Sequence, residues 1–194
     1  MFGVRRKIPD LPPRGPVLDL SGDRLRRAFA DLVEQARPTG GVERYVTALE
    51  LKSALFVEVL GQGAEDMTEA EFLDLAAFMA PVRRRIAPVL AERGIAGLRR
   101  VIHELLTGAG SVDDRLAGFV ASFPQDKTHR WVRNLGAELL HFTAPDRVPL
   151  MARWVWDARV GTGVLREIWH AEDVDAADIR AADDLATFVT LNAD

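Results

Sequence analysis

Apolar residues recur at spacings of three and four along almost the whole chain, and most such stretches end at a proline or a glycine. That period is the mark of amphipathic helices. A half-buried strand needs alternation at two instead. No run of β-branched and aromatic residues alternates in that way, so the expected fold class is all-α, a single irregular helical bundle of roughly eight to ten helices. At 194 residues the chain is long enough to bury a core without staples.

Local signals place the helices. Ser21 can cap a helix running to about Ala36, ahead of Pro38, with Leu25, Ala28, Phe29, Leu32 and Val33 as its core stripe. A second, about Val42 to Leu60, carries Val42, Tyr45, Val46, Leu49, Leu55, Phe56, Val59 and Leu60 on the same period and stops at Gly61. Thr68 and Glu71 form a capping box for a helix to about Ala80. Gly94 divides a short helix bearing Arg83, Arg84 and Arg85 from one of about Ile95 to Leu106. Ser111 with Asp114 opens the next, and Asp126 caps one of about Lys127 to His141. Helices are further expected over about Leu150 to Val160, Val164 to Trp169 and Asp175 to Leu191.

Residues 1–20 hold four of the ten prolines (Pro9, Pro12, Pro13, Pro16), which predicts an extended proline-rich arm ahead of a helical domain over 21–194. The first residues are basic but are followed by no apolar core of a signal peptide. The longest apolar run, Leu75 to Val82, is far short of the ~18 residues of a membrane span. A cytoplasmic location is therefore expected, with no membrane partner. The chain has no cysteine, which removes disulfides, thiolate metal sites and cysteine nucleophiles. Its net charge of −4 argues against a general affinity for polyanions, so nucleic acid is not the expected partner.

Three constellations could carry chemistry. Two Glu-x-x-His steps, Glu138 with His141 and Glu167 with His170, each place a carboxylate and an imidazole on one helix face. Di-iron carboxylate bundles use two such pairs with a lone Glu from each of two further helices. Here no Glu lies between residues 141 and 167, so the full set is incomplete. Separately, all four tryptophans fall in the last third: Trp131, Trp154, Trp156 and Trp169. Trp154 and Trp156 would stand about 200° apart on a helix, so one is expected inside and the other outside. The exposed one, with Arg153, is a candidate partner anchor. Finally, Arg83, Arg84, Arg85, Arg99 and Arg100 could contact phosphates, although three consecutive arginines point three ways around a helix. The competing reading is a solvated face. An acidic run from Glu172 to Asp184 is the opposite patch. No phosphate-binding loop, dinucleotide fingerprint, nucleophile elbow or zinc-protease motif is present.

The stretch Leu139-Leu140-His141-Phe142-Thr143-Ala144-Pro145-Asp146-Arg147-Val148-Pro149-Leu150 resembles a helix-loop-helix of helix-hairpin-helix DNA glycosylase-like domains. The resemblance covers about a dozen residues and implies a second helix after the loop. The family's glycine-rich hairpin and catalytic aspartate have no counterpart here, so no catalytic role is carried over.

These observations favour a non-enzymatic helical interaction module, an accessory, adaptor or regulatory protein that binds another protein through Trp154, Trp156 and Arg153 and needs no cofactor. One alternative is a helical enzyme holding a di-iron or other divalent metal centre on Glu138, His141, Glu167 and His170. The other is a nucleic-acid-binding domain using the arginines.

Overall fold

The computed structural model describes residues 22–168 and 181–193. The proline-rich arm, Trp169, His170 and most of the acidic run lie outside them. Within them the fold is helical: α1 (Asp23–Ala36), α2 (Gly41–Leu60), α3 (Glu69–Ala77), α4 (Ile86–Thr107), α5 (Val112–Ala121), α6 (Val132–Thr143), α7 (Val164–Ile168) and α8 (Leu185–Ala193). No β-strand occurs among the described residues. A single isolated bridge joins Asp157 to Thr162, and no described helix is long and apolar enough to cross a membrane.

The two capping boxes form as the sequence predicts, whereas the N-cap of α1 is Gly22, with no side-chain cap, and Ser21 lies outside the described residues. Thr68 accepts from the Glu71 amide while the Glu71 carboxylate accepts from the Thr68 amide, and Ser111 and Asp114 repeat the arrangement at α5. Both carboxyls are held below the usual carboxylate range, chiefly by these bonds to Thr68 and Ser111. Gly94, at φ 68°, ψ 165°, breaks α4 where two helices are expected. Pro88 is tolerated because it falls in the first turn, where its missing N–H has no intrahelical partner to lose. Asp126 caps only a short 3-10 turn, accepting from the Thr128 and His129 amides, and α6 begins later, at Val132.

α6 is the centre of the bundle. Val132, Leu135, Ala137, Leu139, Leu140 and Phe142 are all buried, against α2, α4 and α5. Gly136 sets how close α5 can come. A Cβ there would lie 2.7 Å from Leu116 Cδ1 and 2.9 Å from Phe119 Cδ1. The core continues through Phe56 and Leu60 of α2, Phe72 and Leu75 of α3, and Leu98, Ile102 and Leu105 of α4.

The last helix, expected from Asp175, begins at Leu185, and 181–184 ahead of it are not helical. Two further expectations fail. Most of the stripes of α1 and of the first half of α2 is not core: Phe29, Leu32, Val33, Tyr45, Val46 and Leu49 are all exposed, and among the described side chains of α1 only Ala36 is buried, with Leu25 half-buried against the core. The periodicity is present, but beyond Leu25 no described residue covers these exposed side chains. Nor does Leu150 to Val160 form a helix, so the second helix implied by the glycosylase-like resemblance is absent. Instead the chain reverses at Gly161 (φ 62°) and Gly163 (φ 140°). The backbone of 154–157 then pairs with 162–165: Asp157 N donates to Thr162 O at 2.8 Å, Val164 N to Trp154 O at 3.0 Å and Leu165 N to Val155 O at 3.1 Å. Tertiary pairing replaces the intrahelical bonds of a segment rich in tryptophan and valine, which are middling helix formers.

Gly136→Ala should overpack the α5–α6 contact and destabilise the protein by about 1–3 kcal/mol. Urea unfolding should show a lower midpoint with an unchanged slope.

Candidate interaction surfaces and an arginine cleft

The first Glu-x-x-His step is engaged inside the bundle. Glu138 is buried and its Oε2 accepts from Lys52 Nζ of α2 at 2.6 Å. The same ammonium donates to the Phe78 carbonyl at 3.1 Å and lies 3.8 Å from the centroid of the Phe142 ring and 5.5 Å from that of Phe56. A cation over an aromatic face gains from the ring quadrupole, so the low-polarity setting is offset on several sides. His141 turns away from this group. Its Nδ1 donates to the Val148 carbonyl at 2.8 Å, which closes the loop after α6, and its ring meets Phe142 edge-on. Among the described residues no three His, Asp or Glu side chains converge with metal-holding geometry. Glu167 lies in α7, but its side chain, like His170, is outside the described residues.

Trp156 is fully buried and its indole N–H donates to the Ala181 carbonyl at 2.8 Å, whereas Trp154 is 55% exposed. The two therefore do face opposite ways, through the reversal at 154–165 rather than through helical geometry. Trp156 is inside and offers nothing to a partner. Trp154 is outside.

Arg153, the third member of that set, belongs to a separate constellation that the sequence does not announce. A cleft of about 620 Å³ is lined by Lys127, Arg130, Arg133, Arg153 and Arg159, with His129, Asp126 and the apolar Val120, Pro124 and Val160. Asn134 Oδ1 accepts from the Arg153 amide at 3.0 Å, and Arg153 Nη1 donates to the Arg130 carbonyl at 3.0 Å. Asp157, buried behind the cleft, has Oδ2 3.6 Å from Arg153 Nε and 3.8 Å from Arg130 Nη2. Arg133 is held by Asp183, which lies 3.3 Å away and also offers its carbonyl. Burial pushes the Arg153 guanidinium below its ordinary pKa, and the positive charges of Arg159, Arg133 and Arg130 push the same way against Asp157. Asp126 is held down to about 2, mainly by the Thr128 hydroxyl and then by His129, and so remains a carboxylate.

The arginines named by sequence do not form one face. Arg83, Arg84 and Arg85 are exposed in the turns before α4 and form no ion pair among the described residues. Arg84 and Arg85 line a second cleft of about 630 Å³ with Lys127 and His129, which also line the first. Arg99 and Arg100 sit elsewhere, beside Glu65 and His103, and Arg99 Nε donates to the Met67 carbonyl at 2.6 Å. The basic lining that matters was scattered between residues 127 and 159, and no spacing along the sequence draws it together.

Lys52→Met should strand the Glu138 carboxylate in the core and cost about 3–5 kcal/mol, while Lys52→Met with Glu138→Leu should recover much of that loss. Chemical denaturation of the two single variants and the double variant measures the coupling. Compared with family models, curated proteins and solved structures, the chain matches none of them.

Proposed function

We propose that this chain is a non-enzymatic helical interaction module that binds another protein, working as an accessory or regulatory protein in the cytoplasm. The observation that supports it most is the uncovered apolar stripe of α1 and α2. Phe29 is 60% exposed, Leu32 52%, Tyr45 51% and Leu49 54%. Single exposed apolar residues are ordinary, but two helices that both keep a three-and-four stripe in water mark a docking face. The stripe period matches a partner's amphipathic helix, which would lie against the two helices as one helix of a bundle lies against the next. Charged residues of both signs, Arg27, Asp31 and Glu34 on α1 and Glu43, Arg44 and Glu50 on α2, supply the polar rim. Exposed Trp154 is a second anchor candidate. The lack of cysteine fits a reducing compartment.

Leu32→Glu with Leu49→Glu tests the reading. Both side chains are more than half exposed, so folding stability should change by no more than about 0.5 kcal/mol. Cross-linked complexes isolated from host cells with the tagged wild type should contain a partner that the variant loses. Identical sets retained by both would overturn the proposal. A wild-type dimer in sedimentation that the variant abolishes would replace the foreign partner with a second copy of the chain.

A further inference from the structure

The start of α6 carries charge of the wrong sign for a helix standing alone. A helix N-terminus presents free N–H groups and the positive end of the macrodipole, which acids or an oxygen-bearing cap normally offset. At α6 the N-cap is Trp131, no side chain caps it, and no acid lies in the first turn. Arg130 and Arg133 flank the start instead. Lys127, Arg153 and Arg159 gather round the same cleft, and among the described residues the only lining carboxylate is Asp126. Even with Asp157 and Asp183 behind, five cations face three carboxylates among the described residues. Lys127 and Arg159 form no ion pair among the described residues, the buried Arg133 Nε has no hydrogen-bond partner, and Arg153 Nε meets only the Asp157 carboxylate, at 3.6 Å. Like charges held together with unused donors are costly unless an anion completes the group.

We propose that this cleft binds a small organic phosphate. Its tetrahedral dianion would sit among the guanidiniums of Arg130, Arg133, Arg153 and Arg159 at the α6 N-terminus. Forked guanidinium donors suit phosphate oxygens. Val120, Pro124 and Val160 give the organic part an apolar wall. A cleft of about 620 Å³ is the size that encloses a small molecule. It shares Lys127 and His129 with the second cleft, which Arg84, Arg85 and Glu92 also line. A nucleic-acid strand is the poorer fit. The chain is net negative, and Trp131, which lines the second cleft, is 3% exposed and cannot stack a base.

Pyrophosphate is the probe, titrated calorimetrically and in thermal unfolding at ionic strength held constant with chloride. The wild type should bind it saturably and gain in Tm. Arg159→Gln and Arg130→Gln, both on exposed side chains, should each weaken binding about tenfold. The Leu32→Glu/Leu49→Glu protein should bind as the wild type does, which separates this site from the helical docking face. Absence of saturable binding by the wild type, or binding that survives unchanged in the Arg130→Gln/Arg159→Gln double variant, would overturn the proposal. So would a single-stranded oligonucleotide or a glutamate-rich peptide that binds more tightly than pyrophosphate and is not displaced by it.

Discussion

The ammonium of Lys52 is the point on which the bundle turns. It emerges from α2, bonds the Glu138 carboxylate of α6 and the carbonyl of Phe78 just past α3, and lies against the Phe142 ring. Three segments far apart in sequence are thus referred to one charge. Neither partner tolerates burial alone, since an unpaired ion in a core costs several kcal/mol and a paired one roughly breaks even. The value of the pair therefore lies in position more than in net stability. It fixes the register of α2 on α6, and Ser53 reinforces it by donating to the Phe142 carbonyl at 2.8 Å.

With α6 fixed at the centre, its two ends acquire different roles. At the C-terminal end His141 and the Val148 carbonyl shut the following loop, so the chain returns along the body. At the N-terminal end the helix opens on an arginine cleft, and the returning loop delivers Arg153 and Arg159 to it. The same placement leaves α1 and the first half of α2 with a face that is uncovered among the described residues, because the buried part of α2 is its second half, around Phe56 and Leu60.

Much of the fold was legible in the sequence. Caps at Thr68 and Ser111, the break at Gly94 and the period of each stripe are local, and local backbone chemistry decides them. Burial was not legible. A three-and-four stripe looks the same whether it meets a core or water, so Phe29 and Leu32 read as core residues. The segment after Pro149 misled for another reason: its period suits a helix, but its backbone pairs with 162–165 across the reversal at Gly161 and Gly163. Glu138 stood out in the sequence only through its Glu-x-x-His spacing to His141, whereas its partner Lys52 stands 86 positions away, beyond the reach of any spacing argument.

The sequence alone determined that the chain is helical, where most helices start and stop, and that no thiol chemistry is open to it, because each of these follows from residue type and near-neighbour spacing. Only the tertiary structure decided which stripes are covered, that Trp156 faces in and Trp154 out, and that arginines from residues 130 to 159 share one cleft with Lys127. Those outcomes depend on contacts between elements, and charges brought together across a fold leave no periodic trace in the chain.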